Sequence, residues 1–177
     1  AAVIAELKHM GITSVMVTGD TTKTAKSIAQ QVGIETIFAQ LLPHQKEEKV
    51  ALLRKKGEVV AFIGDGINDA PALAAADVGI AMGNGTDVAI ESAGITLLRS
   101  DIALVPKAIA LSKITMRNIT ENLLWAFIYN VALIPVAMGV LYPIWGIQLN
   151  PMLASGAMAF SSVSVVLNAL RIKLYRI

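Results

Sequence analysis

Two carboxylates, Asp65 and Asp69, stand four residues apart in the string Gly64-Asp65-Gly66-Ile67-Asn68-Asp69-Ala70-Pro71-Ala72-Leu73. The string follows an apolar run, Val59-Val60-Ala61-Phe62-Ile63, which reads as a buried parallel strand. Glycines on both sides of Asp65 let the backbone turn sharply off the strand end. Asn68 and Asp69 then open a helix with Pro71 in its first turn, where a missing N–H costs nothing. Both acids fall at the carboxyl edge of a sheet, where open α/β sheets bind ligands. Oxygen donors there suit a hard cation such as Mg2+, which brings phosphate with it. A bare Gly-Asp-Gly would equally fit a strand–turn–helix connection with a capping Asp. The full string is far more specific.

A second set of chemically capable residues lies in an apolar setting. Between Glu121 and Arg171 there is no Asp, Glu, Lys or Arg. Two stretches there, residues 119–141 and 151–170, each meet the length of about 20 residues needed to cross a bilayer. An uncharged stretch this long argues against a buried helical hairpin of a soluble protein. Asn122, Tyr129, Asn130 and Pro135 lie in the first stretch; Met158, Ser161, Ser162 and Asn168 lie in the second. Polar groups in hydrocarbon need partners and face a protein interior or a pathway. Ser and Asn commonly bond a neighbouring helix. Met158 alone reads as packing, but a thioether beside amide and phenol oxygens also suits a soft ion such as Cu(I). Pro135 is expected to leave a carbonyl unpaired and weaken the helix locally.

The elements that would position these groups change character along the chain. Up to residue 100, helical and strand patterns alternate. A helix through about Lys8 stops at Gly11, a strand around Ser14–Val17 leads into Thr18-Gly19-Asp20, and a helix over Thr22–Val32 stops at Gly33. Residues 37–39 form a short strand, and Pro43 opens a helix over residues 44–56. After the central motif come a strand over residues 77–82, a turn at Gly83-Asn84-Gly85, a short helix over 87–93 and a last strand over 95–98. Such alternation predicts a parallel, doubly wound sheet. Residues 101–118 read as an amphipathic linker helix with Lys107, Lys113 and Arg117 among apolar residues. Lys113 and Arg117 precede the first span, and Arg171, Lys173 and Arg176 follow the second. The positive-inside rule then puts both ends in the cytoplasm, with Tyr142-Pro143-Ile144-Trp145-Gly146 as an outer interfacial connector.

Composition agrees with a membrane-associated chain. Of 177 residues 55% are hydrophobic, and the mean hydropathy is +0.62. The net charge of +2 says little about partners; with no basic run, few aromatics and no recognisable motif there is no nucleic-acid signature, and no nucleic-acid partner is expected. Zero Cys excludes disulfides and cysteine metal sites within the chain. The chain begins within a helical pattern and without Met, as expected of a fragment.

The chain closely resembles the C-terminal part of a heavy-metal-transporting P-type ATPase of the copper/silver-exporting subclass. Thr18-Gly19-Asp20, Lys46 after Pro43, and the Gly64–Pro71 string match that family's phosphorylation domain, a haloacid dehalogenase-like, Rossmann-like α/β fold. Asn122, Tyr129, Asn130 and Pro135 meet the pattern Asn-x6-Tyr-Asn-x4-Pro. Met158, Ser161, Ser162 and Asn168 meet Met-x2-Ser-Ser-x5-Asn. The resemblance implies a partial phosphorylation domain over residues 1–100, a cytosolic linker helix over 101–118, and the last two membrane helices with a short tail over 119–177. It implies that Thr18, with Gly19 and Asp20 in its loop, gives a hydroxyl to a phosphoryl oxygen. Lys46 supplies positive charge, Asp65 ligates Mg2+, and Asn68 and Asp69 support the phosphate and that metal. Tyr129, Asn130, Met158 and Ser162 are the candidate donors to transported Cu(I) or Ag(I). His9 and His44 receive no role.

The family's phosphate-accepting Asp, its nucleotide-binding and actuator domains and its Cys-Pro-Cys site are absent from these 177 residues. ATP would be bound mainly by those domains, and the chain alone is expected to be inactive. Expected partners are the lipid bilayer, the remaining pump domains and a copper chaperone. The expected location is a bacterial plasma membrane, crossed more than once, with residues 1–118 and the C-terminus cytoplasmic. Two other classes stand beside this one: a non-catalytic membrane module or regulator of a full pump, and a stand-alone haloacid dehalogenase-like phosphatase remnant.

Overall fold

The computed structural model describes residues 1–83, 87–138, 142–146 and 151–174. The chain forms two compact units, Ala1–Pro106 and Lys107–Ile177.

The first unit alternates helix and strand: α1 (Ala2–His9), β1 (Val15–Val17), α2 (Thr22–Val32), β2 (Thr36–Phe38), α3 (Pro43–Lys55), β3 (Ala61–Gly64), a 3-10 turn (Ile67–Asp69), α4 (Ala70–Ala75), β4 (Val78–Met82), α5 (Asp87–Glu91) and β5 (Ile95–Leu97). Local chemistry sets these bounds. Thr21 caps α2 by accepting the Thr24 N–H at 3.4 Å, and Gly33 ends it at φ 84°, a left-handed conformation suited to glycine. Pro43 opens α3, where the Gln45 side chain accepts the Leu42 N–H at 2.9 Å.

Among the described residues all strand pairs are parallel, but they form two sheets rather than the single sheet expected. β1 pairs with β2, and β4 lies between β3 and β5. The run Gly79-Ile80-Ala81 is buried throughout, as befits a strand flanked on both edges. Val50, Phe62, Ala72 and Leu73 form a core cluster against which Val17 also packs. The second half of the Gly83-Asn84-Gly85 turn lies outside the described residues.

The second unit contains most of α6 (Leu104–Ala137), then α7 (Tyr142–Trp145), α8 (Pro151–Leu170) and a 3-10 turn (Arg171–Leu174). The expected boundary between a linker helix and a first span at residues 118/119 is not a break: α6 is one helix of 34 residues. No helix-breaking residue stands near 118, and Asn118 is buried with its amide bonded. Pro135 lies within α6, which continues to Ala137, and the Met138 N–H rejoins Ile134 O at 2.9 Å. The connector holds a single helical turn. Arg176 lies outside the described residues. Among the described residues one helix, Leu104–Val136, is long and apolar enough to cross a membrane.

Candidate functional site

Two loops carry the predicted cytosolic residues. The first follows β1. The Thr18 hydroxyl accepts the Asp20 N–H at 3.1 Å and donates to the Asp20 carboxylate at 3.2 Å, closing a tight local turn. Backbone bonds fix that turn to the segment after β2: Thr18 N–H to Phe38 O (2.9 Å), Gln40 N–H to Asp20 O (2.9 Å) and Leu41 N–H to Thr18 O (3.1 Å). Gly19 lies under Leu41, whose carbonyl oxygen would stand 3.3 Å from an added Cβ.

The second loop follows β3. Asp65 is exposed directly after the strand end, and Asn68 is exposed in the 3-10 turn. Asp69 folds back on Gly64 so closely that a Cβ there would stand 2.7 Å from the Asp69 Cβ. Glycine is thus required at 64 by close approach. The Lys46 ammonium, from the first turns of α3, donates to Asp69 Oδ1 at 2.7 Å, and both side chains are only 14% exposed. Lys46 is therefore not a solvated helix lysine, although Gln45-Lys46-Glu47-Glu48-Lys49 reads as one. The structure joins Lys46 to Asp69 and leaves Asp65 as the open carboxylate at the strand end. The exposed Asp65 carboxylate is an oxygen donor of the kind a hard cation takes alongside water or phosphate oxygens. Among the described residues no group of three or more His, Cys, Asp or Glu is placed to hold a metal ion.

Gln40 was not singled out by the sequence. It takes φ 57°, uncommon for a residue with a side chain, and its amide oxygen accepts from the Thr22 hydroxyl at 3.2 Å. It joins the Thr18 turn to the segment that leads into the Lys46 helix. Its residue type carries no signal for that conformation. A second unforeseen cluster ties α3 to the start of β3. Arg54 pairs with Asp77 at 2.8 Å and donates to Ala75 O, while Asp77 accepts the Val60 N–H at 2.9 Å. That N–H, with the Arg54 guanidinium beside it, holds the Asp77 carboxyl below its ordinary range.

In the second unit the four predicted metal donors do not share one face. Tyr129 is half-buried, with its ring 6.4 Å from that of Trp125. Asn130, Met158 and Ser162 are exposed. The Asn130 amide donates to Ala126 O at 3.0 Å and the Ser162 hydroxyl to Met158 O at 3.2 Å, each within its own helix. Asn122 and Asn168, by contrast, bond each other across the two helices at 2.9 Å.

Known proteins bear on this arrangement. A haloacid dehalogenase-like hydrolase family matches residues 1–77, and a second family model of the same description matches residues 47–109. The first unit is thus a haloacid dehalogenase-like α/β domain. The chain is 57% identical over 175 residues to a probable copper-transporting ATPase, PacS, of Synechococcus elongatus, covering 99% of this chain and 23% of that protein. It is 56% identical over 171 residues to a silver exporting P-type ATPase of Salmonella typhimurium, covering 97% and 21%. A crystal structure of a zinc-transporting PIB-type ATPase in its E2.Pi state matches at a TM-score of 0.84 and 36% identity, over 97% of this chain and 27% of that one. By sequence the chain is similar to one part of copper- and silver-transporting P-type ATPases. It spans between a fifth and a quarter of the length of these relatives.

Proposed function

We propose that this chain supplies the Mg2+-binding half of an aspartyl-phosphate site, and part of the membrane metal path, of an ATP-driven Cu(I)/Ag(I)-exporting pump. The observation that carries the reading is the Lys46–Asp69 pair, largely withdrawn from solvent at the end of β3 beside the open Asp65 carboxylate. Phosphoryl transfer asks chiefly for positioning and for fixed charge where oxygens gather. Asp65 would hold Mg2+, which when bound neutralises phosphoryl charge. Lys46 holds the Asp69 side chain in place and offers further donor hydrogens to an anion. The Thr18 hydroxyl, whose present partners lie within its own turn, can redirect its proton to a phosphoryl oxygen. Asn68 adds an exposed amide at the same edge. The nucleotide and the phosphate-accepting Asp belong to parts of such a pump outside these residues.

In the second unit, α6 and α8 are read as the two spans, with the Lys113 and Arg117 end and the Arg171 and Lys173 end both cytoplasmic. Cu(I) favours thioether over carboxylate, and no acid stands between residues 121 and 171. Met158, Tyr129, Asn130 and Ser162 are the proposed donors to the transported ion. The lipid bilayer and the pump's other domains are the proposed partners, and a copper chaperone is a proposed donor of cargo.

The test is phosphoenzyme formation in the full-length pump that carries this segment. Asp65→Asn removes the open carboxylate, and phosphoenzyme yield should fall and shift to higher Mg2+. An unchanged yield across a Mg2+ titration refutes the role.

A further inference from the structure

Asn122 and Asn168 belong to the two membrane patterns yet are not among the proposed metal donors, and the structure gives them a different task. The Asn168 amide donates to Asn122 Oδ1 at 2.9 Å, and the Asn118 amide donates to the Asn168 carbonyl at 2.8 Å. The Asn122 amide donates in turn to Asn118 Oδ1 at 3.1 Å. Asn118 is 8% exposed and is the buried polar residue among the described ones. Arg171 donates to Asn168 Oδ1 at 3.3 Å, so all three amides have partners at both ends. The early part of α6 thus meets the end of α8.

Partial burial continues along one stripe of each helix. On α6 it falls at Asn122, Ala126, Tyr129, Leu133 and Val136; on α8 it falls at Ser161, Ser164, Val165 and Asn168. Steps of three and four residues mark one helical face. Tyr129 lies seven residues past Asn122, and Ser161 lies seven before Asn168. Each is about two turns, or roughly 10 Å, from the amides and on the same face as them. In an antiparallel pair held by these amides, Tyr129 and Ser161 would stand level on the facing sides that make up the seam. Asn130, Met158 and Ser162 lie off it, exposed.

We infer that Asn118, Asn122 and Asn168 form an amide clamp that fixes one register between α6 and α8. The clamp sets Tyr129 on the partly buried face of α6 and leaves Asn130, Met158 and Ser162 on exposed faces. A small, mutually satisfied set of amides suits this task, because interhelical bonds in an apolar phase carry direction that aliphatic contacts lack. The inference rests on the membrane reading only for the choice of medium; failure of the copper assignment leaves its outcome unchanged.

The chain has no Cys, so introduced pairs report register without background. In nanodiscs holding one copy each, Ala126→Cys with Ser164→Cys probes the seam. Phe127→Cys with Val163→Cys probes exposed positions at the same level. Under mild oxidation the seam pair should close at least about tenfold faster than the outward pair. An interhelical hydrogen bond averages about 0.6 kcal/mol, or about threefold. Asn122→Leu should then slow seam closure about threefold and Asn168→Leu, which carries more bonds, about three- to tenfold. The double variant should be no slower than Asn168→Leu alone, because the amides act as one unit. Asn122→Ser, which adds no bulk, should give the same threefold slowing, so a folding defect in a Leu variant does not decide the matter. Equal closure of the two pairs, seam rates untouched by Asn122→Ser, or slowing that multiplies in the double variant overturns the clamp.

Discussion

Removing one partner of the Lys46–Asp69 pair should be costly, and removing both should be cheaper than the sum. The two groups meet at 2.7 Å with 14% of each side chain exposed. A solvent-exposed pair contributes about 0–1 kcal/mol, whereas stripping one partner from a buried pair costs about 3–5 kcal/mol, since the other charge is left uncompensated. At 14% exposure the site lies nearer the buried limit, and some water reaches it. Lys46→Met and Asp69→Leu should each cost about 2–3 kcal/mol. The double variant, which leaves no orphan charge, should cost less than the sum by about 1.5 kcal/mol or more. The readout is amide hydrogen exchange in peptides spanning β3, the 3-10 turn and α4, measured on the whole chain in nanodiscs. A loss of 2–3 kcal/mol appears as roughly 30- to 150-fold faster exchange in the slowest amides. A loss under about 0.5 kcal/mol for Lys46→Met, or strict additivity of the two variants, would show that the pair behaves as an ordinary surface contact and refute the reasoning.

Gly64→Ala should cost about 1–3 kcal/mol by overpacking, because the new methyl would stand 2.7 Å from the Asp69 Cβ, an atom next to the backbone with little room to yield. Faster exchange at Asp69–Leu73 with α1 unchanged would confirm it, and native exchange rates would count against it. The Asp77 carboxyl titrates below its ordinary 3.8 because it accepts the Val60 N–H and faces Arg54. A depressed native value means stability that is present above the unfolded value and lost as pH falls through the native one. Asp77→Asn should therefore lower the thermal midpoint near neutral pH and flatten the loss on acidification; an unchanged acid limb removes Asp77 from the account.

Much of this arrangement was legible because glycine and proline punctuate it. Gly33 and Pro43 bound α2 and α3 where the sequence places them, since a left-handed stop and a fixed first-turn φ are backbone properties of those residues. Lys46 was harder. Nothing in a run of alternating charges separates it from Lys49, and only the 23-residue reach to Asp69 withdraws it from water. Gln40 left no trace, because a left-handed glutamine is imposed by its neighbours rather than by its own propensity. The division into two sheets was also hidden. Short apolar runs announce strands but not their neighbours, and β1 and β3 differ from central strands only in what pairs with them. In the second unit the uncharged stretch fixed the helices, while their facing sides emerged only once the Asn122–Asn168 bond set their rotation.

The donor chemistry of the two units separates hard from soft. After β1 and β3 the available groups are carboxylate, hydroxyl, amide and ammonium, and neither loop itself carries a thioether. Such a set holds a hard cation and phosphate and has little preference for Cu(I). Along α6 and α8 the order is reversed: between residues 121 and 171 there is no acid, and Met158 is 70% exposed on a face that the clamp leaves open. A hard divalent ion finds no charge compensation there, and Zn2+, which recruits Cys, His or carboxylate, finds none of these between residues 121 and 171. The relative whose crystal structure matches is named for zinc, yet it shares 36% identity with this chain, against 57% for the copper relative. Ligand softness and sequence similarity therefore point the same way. The proposed Cu(I) assignment then turns on one atom, the Met158 sulfur. In the full pump, Met158→Ala should weaken Cu(I) binding under reducing conditions while Mg2+-dependent phosphorylation by inorganic phosphate persists, because the oxygen site shares no donor with it. Native copper affinity in that variant would remove the soft-ion argument from this pair of helices.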